Sequence, residues 1–268
     1  VAGFLRVGIY EDHNGVNINI VDPETIVRIV FNDLYENDKI DEYDKIVGDA
    51  KLFKDELVSI LHSFGVGTQV NLPMEPIRDD EDLAESSKDM FMMVGQMTLF
   101  NDEDQFPKIY STKKEDGVSA VSLSGKFTEN LELYKPSEDD FEYRWSPNPE
   151  VDLKWGTVSK LTSPDGKAII LGITRRRTEG VSFHIAGNSR EDDLNKCPGI
   201  DHAAAYPIEV LFIEDEENVN VFMHREMFRM DMYFWDAGMA TFMDHMSMPG
   251  ILDESIKQSL LGKEYKED

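Results

Sequence analysis

A short stretch near the start of the chain recurs near its end. Residues Leu5 to Asp22 align without a gap on Ile208 to Arg225 at a constant offset of about 203 positions. Val7 matches Val210, Glu11 matches Glu214, Asp12 matches Asp215, Val16 matches Val219 and Asn17 matches Asn220. A repeat of this kind narrows the possible folds, because both copies must satisfy the same local structure. Each copy reads as a β-hairpin: two short runs of β-branched and aromatic residues joined by a polar turn, with Asn14-Gly15 supplying the positive φ that a tight turn favours in the first. Alternation in Val16-Asn17-Ile18-Asn19-Ile20 puts the apolar side chains on one face and predicts a half-buried antiparallel strand. A helix is expected after both copies. Asp22 can cap the first ahead of Pro23, with Ile26, Val27, Val30 and Phe31 at helical spacing. The second is expected from Glu226 to about Trp235, where Met223, Met227 and Met230 fall three or four apart.

Between the copies, Leu52, Phe53, Leu57, Ile60, Leu61 and Phe64 predict an amphipathic helix over Leu52 to Ser63 that Gly65 ends. Extended runs are expected at Val66 to Leu72, Phe91 to Phe100, Pro107 to Thr112 and Val118 to Leu123. Arg78 to Asp89 is acidic and polar and reads as an exposed loop or short surface helix. Further strands are expected at Leu153 to Leu161, Ala168 to Arg175 and Val181 to Ile185, with Pro164-Asp165-Gly166 as a turn and a last helix over Ile251 to Leu261. The fold class is therefore α+β, with antiparallel sheets, helices packed on one face and two related units forming a pseudo-dimer. The acidic stretch at 136–150, which contains Pro136, Pro147 and Pro149, divides an N-terminal unit (1–135) from a C-terminal one (151–268).

The run His202-Ala203-Ala204-Ala205-Tyr206-Pro207-Ile208-Glu209-Val210-Leu211-Phe212-Ile213-Glu214-Asp215, with the hairpin and helix after it, resembles the C-terminal half of the family called DUF-302. The Arg6-to-Asp22 segment with Pro23 is similar to the same half, so the resemblance covers roughly the last hundred residues and the first thirty-five. It implies small α+β domains with an antiparallel sheet backed by helices, a tendency to dimerise and no established enzymatic activity. It brings no catalytic residues.

Charge narrows the partners. Fifty-three acidic against 27 basic residues give a net charge of −26, too acidic for a surface that displaces counterions from DNA or RNA. Nucleic acid and anionic membrane are therefore not expected partners, and no apolar run approaches the roughly 20 residues of a membrane-spanning helix. The chain opens at Val1 straight into a strand pattern. Together with the acidic surplus, this favours an exported protein, periplasmic or extracellular, whose signal was removed upstream, over a cytoplasmic one. Cys197 is the one cysteine, which excludes an intramolecular disulfide and a cysteine-rich zinc site.

No phosphate loop, nucleophile elbow, paired His-Glu zinc helix or Ser-His-Asp spacing is present, so no catalytic residue is assigned. The acidic clusters Asp79-Asp80-Glu81-Asp82, Asn101-Asp102-Glu103-Asp104 and Glu214-Asp215-Glu216-Glu217 lack the spaced ligands of a calcium loop and read as solvated surface. The leading expectation is a non-enzymatic binding or assembly protein, self-associating as a homo-oligomer, with its Met-rich C-terminal region forming a ligand pocket or subunit contact. A second expectation is an exported soft-metal or haem carrier. Thioether and imidazole groups at Met243, His245, Met246 and Met248, with His224, suit copper. Cys197 before Pro198, with His202, suits haem iron. Arg175 and Arg177, expected on one strand face with Arg176 on the other, could receive a carboxylate or phosphate ligand. A third is an enzyme with an inter-domain cleft, drawing on Arg175, His184 or His202.

Overall fold

The computed structural model describes residues 6–12, 15–64, 106–114, 117–139, 141–182, 205–225 and 247–262, with Arg229, Tyr233, Met243 and His245. The chain divides into two compact units, Val1–Gln105 and Phe106–Asp268. The division falls upstream of the proline-containing segment at 136–150. That segment belongs inside the second unit: its one-turn 3-10 helix, Phe141–Trp145, carries the buried Glu142. Proline and acidic composition mark a break in regular structure there, not a break between cores.

In the first unit, strands β1 (Val7–Asp12) and β2 (Gly15–Ile20) form an antiparallel two-stranded ribbon. Helix α1 (Pro23–Val30) follows, with Asp22 capping it by accepting the Glu24 N–H at 2.9 Å and Pro23 in its first turn. The short α2 (Asn32–Glu36) leads into α3 (Ile40–Ser63). Helix α3 starts twelve residues earlier than its apolar spacing alone predicts, because its first half buries only Tyr43, Val47 and Ala50 between charged residues. Tyr43 and Val47 meet Val27, Leu34 and Tyr35, and the Tyr35 and Tyr43 rings pack edge-on at 5.4 Å. Lys54 ties α3 back to the α1 cap through Asp22 at 2.5 Å.

The second unit is a five-stranded antiparallel sheet in the order β3-β7-β6-β5-β4. Its strands are β3 (Lys108–Lys113), β4 (Gly156–Thr162), β5 (Ala168–Thr174), β6 (Ile208–Glu214) and β7 (Asn218–Met223). The β4-β5 connection turns through Ser163 to Gly166, with Gly166 at φ 73°. One sheet face carries Ile169, Leu171, Ile173, Ile208, Val210, Phe212, Val219, Val221 and Met223. It is covered by α4 (Ala120–Leu133) and α7 (Met248–Leu261) through Phe127, Leu131, Ile256 and Leu260. The unit is thus α+β, with these helices on the core face. Helices α5 (Pro149–Asp152) and α6 (Arg176–Ser182) complete it.

Two expected strands are helical. Val118 to Leu123 alternates over too short a span to distinguish periods of two and 3.6. Ser119 instead caps α4 through a reciprocal box with Ser122, and Ala120, Leu123, Phe127 and Leu131 line the buried face. Val181 and Ser182 end α6, and 183–185 lie outside the described residues. The runs at Val66 to Leu72 and Phe91 to Phe100, the acidic segment at 78–89 and most of Glu226 to Trp235 also lie outside them.

The repeated segments form ribbons in the same register. Val7 pairs with Ile20 as Val210 does with Met223, and Glu11 pairs with Val16 as Glu214 does with Val219. Their settings differ: among the described residues β1-β2 is a two-stranded sheet, whereas β6-β7 lies inside five strands.

Candidate functional site

That difference leaves one apolar surface open. In the second unit the ribbon face bearing Val210, Phe212, Val219 and Val221 is fully buried under helices. The equivalent face of the first ribbon carries Val7, Ile9, Val16 and Ile18, which are 39%, 70%, 64% and 39% exposed. The alternation that predicts a half-buried strand is therefore present, but its apolar side faces solvent. A two-stranded ribbon with an exposed apolar face is marginal in water by itself. Helix α3 adds a second open strip in the same unit. Beside the seam that packs on α1, Phe53, Ile60 and Phe64 follow one another at spacings of seven and four, and are 49%, 47% and 71% exposed. Single exposed apolar residues need no explanation, but two aligned strips do.

A polar cluster occupies the end of the second sheet where β5 and β7 finish and β6 begins. Arg175 follows the last residue of β5, and α6 starts at Arg176, so Arg175 and Arg177 do not share a strand face as expected. Arg175 is buried and pairs with the buried Glu142. Its Nε donates to Thr178 Oγ1 at 2.5 Å, its Nη1 donates to Ser255 Oγ at 3.0 Å, and its guanidinium lies 4.8 Å from the Trp155 ring centre. Trp155 Nε1 donates to the same Ser255 oxygen at 3.0 Å. This guanidinium is spent inside the fold, joining β5 to α6, α7 and the 3-10 helix. Arg177 is half-buried on α6, and Arg176 points outward, 76% exposed.

On the sheet face away from α4 and α7, Glu209 is the second residue of β6 and His224 follows β7. The carboxylate and the imidazole are 3.9 Å apart and almost fully buried. The Phe106 ring covers His224 at 4.8 Å and stacks on Phe222 at 5.5 Å. Gly172, paired with Glu209, lets this corner close, since a Cβ there would collide with Ser159 Oγ and meet Pro207 at 2.6 Å. Arg229, also buried, donates to the Ala205 carbonyl at 2.6 Å and lies beside Tyr206 and Tyr233.

His224 is therefore part of this cluster. Met243 is helical and 43% exposed, His245 is half-buried, and Met248 opens α7. Among the described residues no group of three or more His, Cys, Asp or Glu side chains converges as metal ligands. Cys197, His202, His184 and Met246 lie outside the described residues. Met223 is a core residue, 1% exposed. Sequence reading missed Glu209 and Arg229. The one available signal for Glu209 was a carboxylate within an otherwise apolar strand, and Arg229 sits in a Met-rich and aromatic run with nothing to mark it. No helix among the described residues is long and apolar enough to cross a membrane.

No family model, curated protein or solved structure matches this chain, so the resemblance to DUF-302 rests on the His202-to-Asp215 and Arg6-to-Pro23 segments alone.

Proposed function

We propose that this is a non-enzymatic assembly protein that self-associates through its N-terminal unit, the open face of β1-β2 receiving the α3 strip of a second copy. The observation that carries this reading is the contrast between two ribbons of identical register. The face buried under helices in one is open in the other. What covers the closed face is an amphipathic helical surface, and the chain presents such a surface again at Phe53, Ile60 and Phe64. Because ribbon and strip are both exposed within one copy, their pairing joins one copy to another. Burying such strips is the usual driving force of association between identical chains.

Light scattering coupled to size exclusion on the full chain tests this. The wild type is expected to run as a dimer or larger assembly, and Ile9→Lys with Ile18→Lys, or Phe53→Asp with Ile60→Asp, to run as a monomer with unchanged circular dichroism. A wild type that stays monomeric at high micromolar concentration would sink the reading. An assembly that survives both double substitutions would place the contact elsewhere and remove the surface named here. Capture of a different protein at the same residues, with the chain alone monomeric, would also overturn self-association.

A further inference from the structure

Arg229 is 4% exposed and carries a planar guanidinium. Its Nη2 donates to the Ala205 carbonyl at 2.6 Å, and the rings of Tyr206 and Tyr233 each lie 5.6 Å from the guanidinium carbon. All of these neighbours are neutral. Among the described residues Nη1 is buried with no hydrogen-bond partner, and no carboxylate pairs with this side chain. The contrast with Arg175 is informative, because that equally buried guanidinium is matched by Glu142 and by two hydroxyls. Glu209, at the same end of the sheet, faces His224 at 3.9 Å. Among the described residues, this buried cation meets one carbonyl and two ring faces and no counter-charge of the kind that burial demands.

We propose that Arg229 is the anchor of a binding site for a small oxyanion, the carboxylate or phosphate group of a metabolite-sized ligand. The planar guanidinium suits two parallel hydrogen bonds to such a group, and Nη1 is the donor left for it. Tyr206 and Tyr233 wall the cation with ring faces, which hold a guanidinium in place without neutralising it. The site stands at the junction of β6, β7 and the segment after β7, in the second unit, and is independent of assembly through the first. It takes over the anion-receiving role that the Arg175-Arg176-Arg177 triplet suggests.

The test is calorimetric titration of the full chain, in chloride buffer, with sodium phosphate, benzoate and acetate in turn. At least one oxyanion is expected to bind saturably, and the arms separate phosphate from carboxylate recognition. Arg229→Gln is expected to weaken that binding about tenfold or more, because the charged bidentate contact is lost, while Arg176→Gln at an exposed position leaves it unchanged. Absence of saturable binding by all three probes, or equal affinity in Arg229→Gln, overturns the proposal. Thermal unfolding of Arg229→Met is a second, independent measurement. Without oxyanion this variant is expected to melt at or above the wild type, since it removes an unmatched buried charge, and to lose the oxyanion-dependent rise. A marked fall in its melting temperature would mean that the guanidinium has an internal counter-charge, and the site would not exist.

Discussion

Arg175 and Arg229 carry the same charge to the same end of one sheet, and both are buried. Among the described residues, what separates them is the charge of their neighbours. Arg175 has Glu142 from the 3-10 helix, Thr178 from α6 and Ser255 from α7, partners drawn from three separate stretches of the chain. Removing the charge of Glu142 while keeping its shape leaves the guanidinium unmatched. Glu142→Gln is therefore expected to cost about 3–5 kcal/mol, visible as a lower denaturant midpoint at unchanged slope. A loss below about 1 kcal/mol would mean the pair contributes no more than a surface bridge. At this scale the sequence draws attention to Arg175 because three adjacent arginines stand out in an acidic chain, whereas one arginine among methionines and aromatics does not. Neither Glu142 nor Ser255 is near Arg175 in sequence, so nothing local announces that its charge is already matched.

Helix α4 and the β6-β7 turn meet through Glu214, which ends β6. Its carboxylate accepts the Ala120 N–H at 2.8 Å, at the start of α4, and pairs with Lys114 at 3.0 Å. The Ala120 N–H first, and then Lys114, hold its pKa below the usual glutamate value. A carboxyl whose folded pKa lies below its unfolded one adds stability that is full above the unfolded value and vanishes as pH falls through the folded value. Wild type is thus expected to melt above Glu214→Gln at neutral pH, with the gap closing as pH drops below about 4.3. A gap independent of pH would show that the charge of Glu214 is not what secures α4. The neighbouring Asp215, whose pKa the N–H groups of Asn218 and Glu217 also lower, shapes the β6-β7 turn, accepting from these two groups at 2.6 and 2.8 Å. The acidic run here thus contributes turn and cap, not solvated surface alone. Elements with long periods or explicit caps were legible: α1 from Asp22 and Pro23, α7 from its apolar spacing, and the hairpins from alternation. Short ones were not, since the six residues from Val118 fit either period until Phe127 and Leu131 are counted with them.

At the level of the whole molecule, the hydrophobic core of the second unit is drawn from Ala120 through Leu261. Residues 106–268 produced alone are therefore expected to fold cooperatively, with a single thermal transition and a near-ultraviolet dichroism signal from packed aromatic side chains. Loss of that signal with helix content retained would mean that this core needs the first unit to set its packing. Among the described residues the first unit has a small core around Tyr43 and Val47 and exposes the apolar side of its ribbon, and the assembly reading belongs to it for that reason. That Leu5 to Asp22 and Ile208 to Arg225 form ribbons is written in the chain, because alternation, turn chemistry and capping act between residues close together along it. Which face of each ribbon is apolar follows in the same way. Closing that face with helices or leaving it to solvent, and bringing Glu142 to the buried Arg175, are outcomes of long-range packing. Both depend on which distant segments the fold brings alongside, and identical local patterns place no condition on that.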